Sequence, residues 1–132
     1  MDSKNLYVKY DYNGEPIFYT DSDCTILYTG HIEDYNRDGS ICMEADVVDG
    51  FKKGIYKQYF FKSNQLEQIS YYDHNVQYGL EMEFYENGRV KYLTIAICND
   101  YADIYSFSED GQVLKKEIWP NSKFWFNEQR GD

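Results

Sequence analysis

The chain has 132 residues, of which 42% are hydrophobic and 27% charged, enough apolar material for one domain with a core of its own. Thirteen Lys and Arg against 23 Asp and Glu leave a formal charge of -10. That balance argues against nucleic acid or an anionic membrane as partner, since both reward basic surfaces, and it favours a basic partner.

Fifteen Tyr, eight Phe and two Trp supply 19% of the chain, against only two Pro. Aromatic and β-branched side chains suit pleated, half-buried surfaces, so the composition points to an all-β fold. From the start, Met1-Asp2-Ser3-Lys4-Asn5 runs into alternating residues without the apolar stretch of a signal peptide. The most apolar run, Tyr92 to Cys98, is far shorter than the ~20 residues that span a bilayer. Cys24, Cys42 and Cys98 are odd in number and widely spaced, with neither a disulfide framework nor a metal pattern. They read as reduced thiols of a cytoplasmic protein.

A repeat organises the chain. A partial first copy over 6–26 holds Tyr10, Asn13-Gly14 and Pro16. In 27–49, Gly30 is followed by Tyr35, Asp38-Gly39 and Ile41; in 50–74, Gly54 by Tyr59, Ser63-Asn64 and Leu66. In 75–98, Gly79 precedes Phe84, Asn87-Gly88 and Val90; in 99–118, Ala102 takes the glycine place before Phe107, Asp110-Gly111 and Val113. The spacing is 23 to 25 residues. Asn-Gly and Asp-Gly between alternating runs are hairpin signals, because Gly and Asn accept positive φ cheaply. A three-residue loop with a bulge at the glycine pairs Tyr35 with Ile41, Phe84 with Val90 and Phe107 with Val113, and continues with Glu83 facing Lys91 and Met82 facing Tyr92. The second copy is one residue longer, and a four-residue loop, Phe61 to Asn64, still pairs Tyr59 with Leu66. A second set of turns, Asp49-Gly50, His74-Asn75 and Asn99-Asp100, lies midway between the first. The expectation is an elongated, twisted antiparallel meander of about eight to ten strands. Residues 119–126, with Trp119-Pro120-Asn121 and Phe124-Trp125-Phe126, break the repeat and read as a closing cap.

Alternation separates two faces. One carries Leu80, Met82, Phe84, Val90 and Tyr92 with Ile55, Tyr59, Leu66, Tyr105, Phe107 and Val113; the other carries Glu81, Glu83, Tyr85, Arg89 and Lys91 beside Tyr56, Gln58 and Phe60. Leu93, Ile95 and Ile97 project onto this second face, which is therefore expected to be partly covered or to meet another protein.

With its Tyr28-Thr29-Gly30, Gly54-Ile55-Tyr56-Lys57-Gln58-Tyr59 and Gly79-Leu80-Glu81-Met82-Glu83-Phe84-Tyr85-Glu86-Asn87-Gly88 segments, the chain resembles the MORN-repeat-variant family, whose members include bacterial antitoxin and immunity proteins. The resemblance covers roughly Leu27 to Lys116 and departs from the pattern at Ala102 and Asn64. It implies an array of β-hairpins, and a protein that neutralises a cognate toxin by binding it.

No catalytic constellation accompanies the repeat. His31 and His74 sit beside turns without ligand spacing, no Gly-rich phosphate loop is present, and the paired carboxylates alternate as solvated strand faces do. The chain is expected to be no enzyme and to take no metal or cofactor. An acidic inhibitor can occupy the phosphate-binding surface of a nuclease-like toxin, with charge speeding encounter and desolvated aromatics slowing release. The charged candidates are Glu81, Glu83, Glu86, Asp100 and Asp103, and the aromatic ones Tyr56, Phe60, Tyr85 and Trp125. The alternative is a non-catalytic scaffold that binds itself or another protein through a strand edge or face.

Overall fold

Each turn pair of the repeat closes a hairpin in the computed structural model, which describes residues 1–97 and 100–118. The Asn36 amide donates to the Ser40 carbonyl at 2.8 Å, and the Gly39 amide to the Asn36 carbonyl at 2.9 Å. The same pair of bonds recurs between Tyr85, Gly88 and Arg89, and between Ser108, Gly111 and Gln112. Gly39, Gly88 and Gly111 have φ of 88°, 88° and 93°, the left-handed region where a side chain is penalised. In the second copy Phe60 donates to Gln65 at 3.0 Å, so the expected four-residue loop forms. Its left-handed residue is Lys62 (φ 60°), not the Asn64 that stands in the glycine position of the motif.

The strands are β1 (Tyr7–Tyr10), β2 (Pro16–Tyr19), β3 (Gly30–Tyr35), β4 (Ile41–Val48), β5 (Phe51–Tyr59) and β6 (Leu66–Asp73), after a short 3-10 turn at Ser3–Asn5. There follow β7 (Val76–Gln77), β8 (Gly79–Phe84), β9 (Val90–Ile97), β10 (Asp100–Phe107) and β11 (Val113–Ile118). One nine-stranded antiparallel sheet has the order β11-β10-β9-β8-β6-β5-β4-β3, with β7 also paired to β6; β1 and β2 form a separate hairpin. The fold is all-β, as expected. The eleven strands exceed the expected eight to ten because β7 and β8, both partners of β6, are separated at Tyr78, just before Gly79 at φ 82°.

The pairs Tyr35–Ile41, Tyr59–Leu66, Phe84–Val90 and Phe107–Val113 all form. Beyond them the expected register fails by one residue. Glu83 faces Tyr92 and not Lys91, and Met82 faces Leu93 and not Tyr92. The cause is a bulge in every return strand, which leaves Cys42, Glu67, Lys91 and Leu114 unpaired. Each bulge shifts the following residues to the other face. Leu93 and Ile95 therefore join Met82 and Leu80, and Tyr92 leaves them for Glu83. The midway turns hold positive φ at both central residues, 49° and 86° at Asp49-Gly50 and 52° and 66° at His74-Asn75. In the fourth copy Asp100 pairs with Ile97, so it opens β10 and is not a turn residue. Cys98, Asn99 and the expected cap over 119–126 lie outside the described residues.

The partial first copy makes its hairpin, with Tyr10 facing Pro16, but leaves the array and folds over one face of the sheet. There Phe18 packs with Ile32, Ala45 and Val47 to form the buried core, flanked by Leu6, Tyr28, Met43 and Tyr56. This inner face continues through the buried Ser70, Glu81, Thr94 and Ala96. Over β6 to β9 the outer face is the more apolar one, with rows Ile69–Met82–Leu93 and Leu80–Ile95. Burial does not follow apolar alternation here: Leu80 is 50% exposed and its neighbour Glu81 only 4%. The outer edge of β3 is covered by the first residues, where the Glu33 amide donates to Met1 O at 2.8 Å. Among the described residues, no strand pairs with the outer edge of β11 and no helix is long and apolar enough to cross a membrane.

Candidate functional site

The repeat turns at residues 60–65 and 85–89 bring side chains from successive copies together at one end of the inner face. Two open depressions of about 300 and 540 Å3 adjoin there and share Phe60 and Glu67. The first is lined by Phe60, Glu67, Glu83, Tyr85, Glu86 and Glu109, among others; the second adds Asp34, Tyr56, Tyr59 and Phe61. Among the described residues, Lys91 is the one basic side chain lining either depression, against carboxylates of Asp34, Glu67, Glu83, Glu86 and Glu109.

The bulges explain why the acids gather. Glu67 is the unpaired residue of β6, and it accepts from Gln58 Nε2 at 3.2 Å. Asp34 and Glu83 belong to one cross-strand row, Asp34–Met43–Gln58–Gln68–Glu83–Tyr92. Neighbouring turns are stitched together. The Tyr85 hydroxyl donates to Phe107 O at 2.7 Å, Asn87 Nδ2 to Glu109 O at 3.1 Å, and Arg89 Nη1 to Asp110 O at 2.8 Å. The Lys91 ammonium sits 5.7 Å from the Tyr85 ring centroid and 5.6 Å from that of Tyr92, within cation–π range.

The groove strains its own charges. Burial first, then the Glu81 carboxylate, pushes the Glu83 pKa up against the opposing pull of Lys91. Burial, then the Asp2 charge, does the same to Asp34. Carboxylates held above their ordinary range gain most from a cation brought close. Tyr59, whose hydroxyl donates to Glu44, is pushed up to about 12 by burial and by that bond, so it remains a donor. Cys42 lines the second depression, and burial, followed by the Asp34 charge, raises its thiol pKa. A protonated thiol is a weak nucleophile, and among the described residues no histidine lines either depression.

Of the residues expected to meet a partner, the groove assembles Tyr56, Phe60, Glu83, Tyr85 and Glu86. Glu81 lies on the same face but is buried and accepts from Gln77 Nε2, so it presents no free carboxylate to a partner. Asp103 faces Ile95, opposite Leu80, and so belongs to the outer face. Asp100 opens β10 at the end of the sheet away from the groove, and Trp125 lies outside the described residues. Sequence reasoning missed Asp34, Glu67, Glu109, Tyr59 and Phe61. No sequence signal marks Glu67, because the unpaired residues Cys42, Glu67, Lys91 and Leu114 share no chemistry.

No family model matches the chain, and no curated protein matches it. Among solved structures, the chain is similar to a mutant of S. aureus TarM in complex with fondaparinux, α-GlcNAc-glycerol and UDP, at 14% identity and a TM-score of 0.43. The match covers 90% of this chain and 20% of that one, so the chain spans only a fifth of that protein's length.

Proposed function

We propose that the chain is a non-catalytic inhibitor, an immunity protein that binds a cognate bacterial toxin domain through the acidic groove. The observation that carries this reading is the lining of the groove: carboxylates from three strands and two turns accompany one lysine and several aromatic rings. Such a surface suits a basic, nuclease-like domain, whose cations would relieve the raised pKa of Glu83 and Asp34. Phe60, Phe61 and Tyr85 supply apolar anchors of the kind that slow dissociation. The depressions are open rather than enclosed, which suits a protein surface better than a small substrate. The resemblance to MORN-repeat-variant antitoxins points the same way. The reading sets the protein in the cytoplasm, in keeping with free Cys24 and Cys42.

The test is recovery of the tagged protein from its native cells at low and at high salt, followed by the same experiment with Glu67, Glu83 and Glu86 reversed to Lys. A single stoichiometric basic toxin domain, lost from the triple variant, is the expected result. Equal recovery of that domain by the folded triple variant would remove the groove from the account.

One observation favours a second reading. Val113 and Leu114 on β11 are 64% and 65% exposed, beside an edge that no described strand pairs. A scaffold that grows by strand addition would use that edge. Concentration-dependent self-association without any toxin would support it.

A further inference from the structure

A second convergence of side chains lies on the outer face of β3 and β4, sharing only Tyr59 with the lining of the groove. His31 Nε2 is 3.0 Å from Glu44 Oε1 and 3.9 Å from Glu33 Oε2, and the three donor atoms fall within 4.8 Å of one another. Strand geometry places them there. His31 and Glu33 are two residues apart on β3, hence on one face, and Glu33 stands directly opposite Glu44.

Each of these groups is held from behind by a different residue. Asp46 lies 2.8 Å from His31 Nδ1, which leaves Nε2 as the free ring nitrogen facing the two glutamates. The Tyr35 hydroxyl donates to Glu33 Oε1 at 2.5 Å, and the Tyr59 hydroxyl donates to Glu44 Oε2. The oxygens taken by the tyrosines are not those that approach His31. One atom of each group is therefore occupied, and the other is turned towards a shared point. An imidazole oriented by a carboxylate on its far nitrogen, with its companion carboxylates hydrogen-bonded in turn, is the outer arrangement that fixes ligands in metal centres. A metal ion at the shared point would also relieve the repulsion between two carboxylates that stand directly opposite across a strand pair.

We propose that His31 Nε2, Glu33 Oε2 and Glu44 Oε1 bind a divalent transition-metal ion of the zinc class, with Asp46, Tyr35 and Tyr59 as positioning residues. One imidazole with two carboxylates suits zinc, whereas Mg2+ and Ca2+ take all-oxygen sets. His31 is partly exposed, with 43% of its side chain open, so a fourth position is accessible to water or to a side chain of another protein. The sequence hides the set because only His31 and Glu33 are close in the chain, while Glu44 joins them through cross-strand register.

The test uses the full chain, stripped of metal and titrated calorimetrically with Zn2+ alone, then with Mg2+ and Ca2+ at the same concentrations. Saturable one-to-one binding of Zn2+, absent for the other two ions, is expected. His31→Ala and Glu33→Gln should each weaken it at least tenfold, and Asp46→Asn by about tenfold, as loss of an outer partner does. Asp73→Asn, an exposed carboxylate outside the group, should leave it unchanged. Zinc should also shift the His31 imidazole nitrogen resonances in NMR spectra, a response that a purely structural His31 would not give. Two outcomes overturn the proposal: no saturable uptake of Zn2+, which leaves His31 as an ion-pair partner of Glu44 and Asp46, or uptake undiminished in both folded ligand variants, which assigns the zinc to other carboxylates. The titration needs no protein partner, so its result stands apart from that of the groove.

Discussion

Asn75 is 1% exposed, and its side chain joins the sheet to the hairpin that covers it. Its Oδ1 accepts from the Lys52 amide at 2.7 Å, while Nδ2 donates to Pro16 O at 2.9 Å and to Asp11 Oδ2 at 3.4 Å. Its backbone is left-handed, at φ 66°. Asn75→Ala leaves a buried amide and a carbonyl without partners and puts a less tolerant residue in that conformation. The expected cost is about 3 kcal/mol, read as a lower urea midpoint at an unchanged m-value; a loss below about 1 kcal/mol would show that water replaces the amide. Glu83 predicts the opposite sign. Its pKa is raised above the ordinary 4.5 in the folded chain, so between 4.5 and that higher value the folded state binds more protons than the unfolded one. Stability therefore falls as pH rises through that window and stays lower above it. Glu83→Gln should stabilise the protein at pH 7, with the gain shrinking as pH falls towards and below 4.5. Denaturation curves of the two proteins at pH 7 and pH 4 check this, and a gain independent of pH would assign the effect to something other than charge.

At the scale of hairpins, Gly50 and Gly79 share a backbone requirement but not a packing one. Both are left-handed, at φ 86° and 82°. A Cβ on Gly50 would stand 2.6 Å from Leu27 Cδ2, 3.0 Å from Ile17 Cγ2 and 3.1 Å from Phe18 O, whereas one on Gly79 would meet nothing within 4 Å. Gly50 also anchors the covering hairpin, since Phe18 donates to its carbonyl at 2.9 Å and its own amide donates to Tyr28 O at 2.8 Å. Gly79→Ala should cost about 1 kcal/mol through φ alone, and Gly50→Ala about 3 kcal/mol because backbone and β2 must also move. Equal losses in urea denaturation would show that the hairpin yields freely. The contrast marks what the sequence could tell. A turn pair announces itself in two letters, and the aromatic–aliphatic partner follows by counting outward, so the repeat-turn hairpins and their four aromatic–aliphatic pairs were legible. The Asn99-Asp100 turn, by contrast, was misplaced, and the break between β7 and β8 went unread. The bulge was not legible, because an extra residue such as Cys42, Glu67, Lys91 or Leu114 carries no common chemistry, and one unpaired position reverses every face assignment after it. The acids of the groove inherited that error: Glu83 and Glu86 were within reach of alternation and turn counting, Glu67 was not. Nor does local pattern say where a hairpin packs, so the fold-over of β1 and β2, and with it the burial of Phe18 against Ile32, Ala45 and Val47, became visible only in three dimensions.

On a molecule of net charge -10, the proposed groove sets five carboxylates against one lysine, which suits a basic partner. A basic partner approaching it meets two kinds of group, and they should separate kinetically. Glu86 and Glu109 are exposed at the rim, and neither needs to shed much water to act at a distance. Reversing Glu86 to Lys should slow association several-fold at low salt and little at high salt, because screening already removes that attraction over about 8 Å at physiological ionic strength. Phe60 is half-buried where the two depressions meet, so Phe60→Ala should leave association nearly unchanged and speed dissociation by tenfold or more. Acidity adds a third handle. Partner cations favour the ionised form of Glu83 and draw its raised pKa back down, so binding in the titrating range releases protons and affinity must increase as pH rises through the value of the free protein. Surface-resonance kinetics at two salt concentrations and two pH values would read all three effects on one partner. If Glu86→Lys and Phe60→Ala changed the same rate constant to the same degree at both salts, steering and anchoring would not be separate, and the partner would be meeting some surface other than this groove.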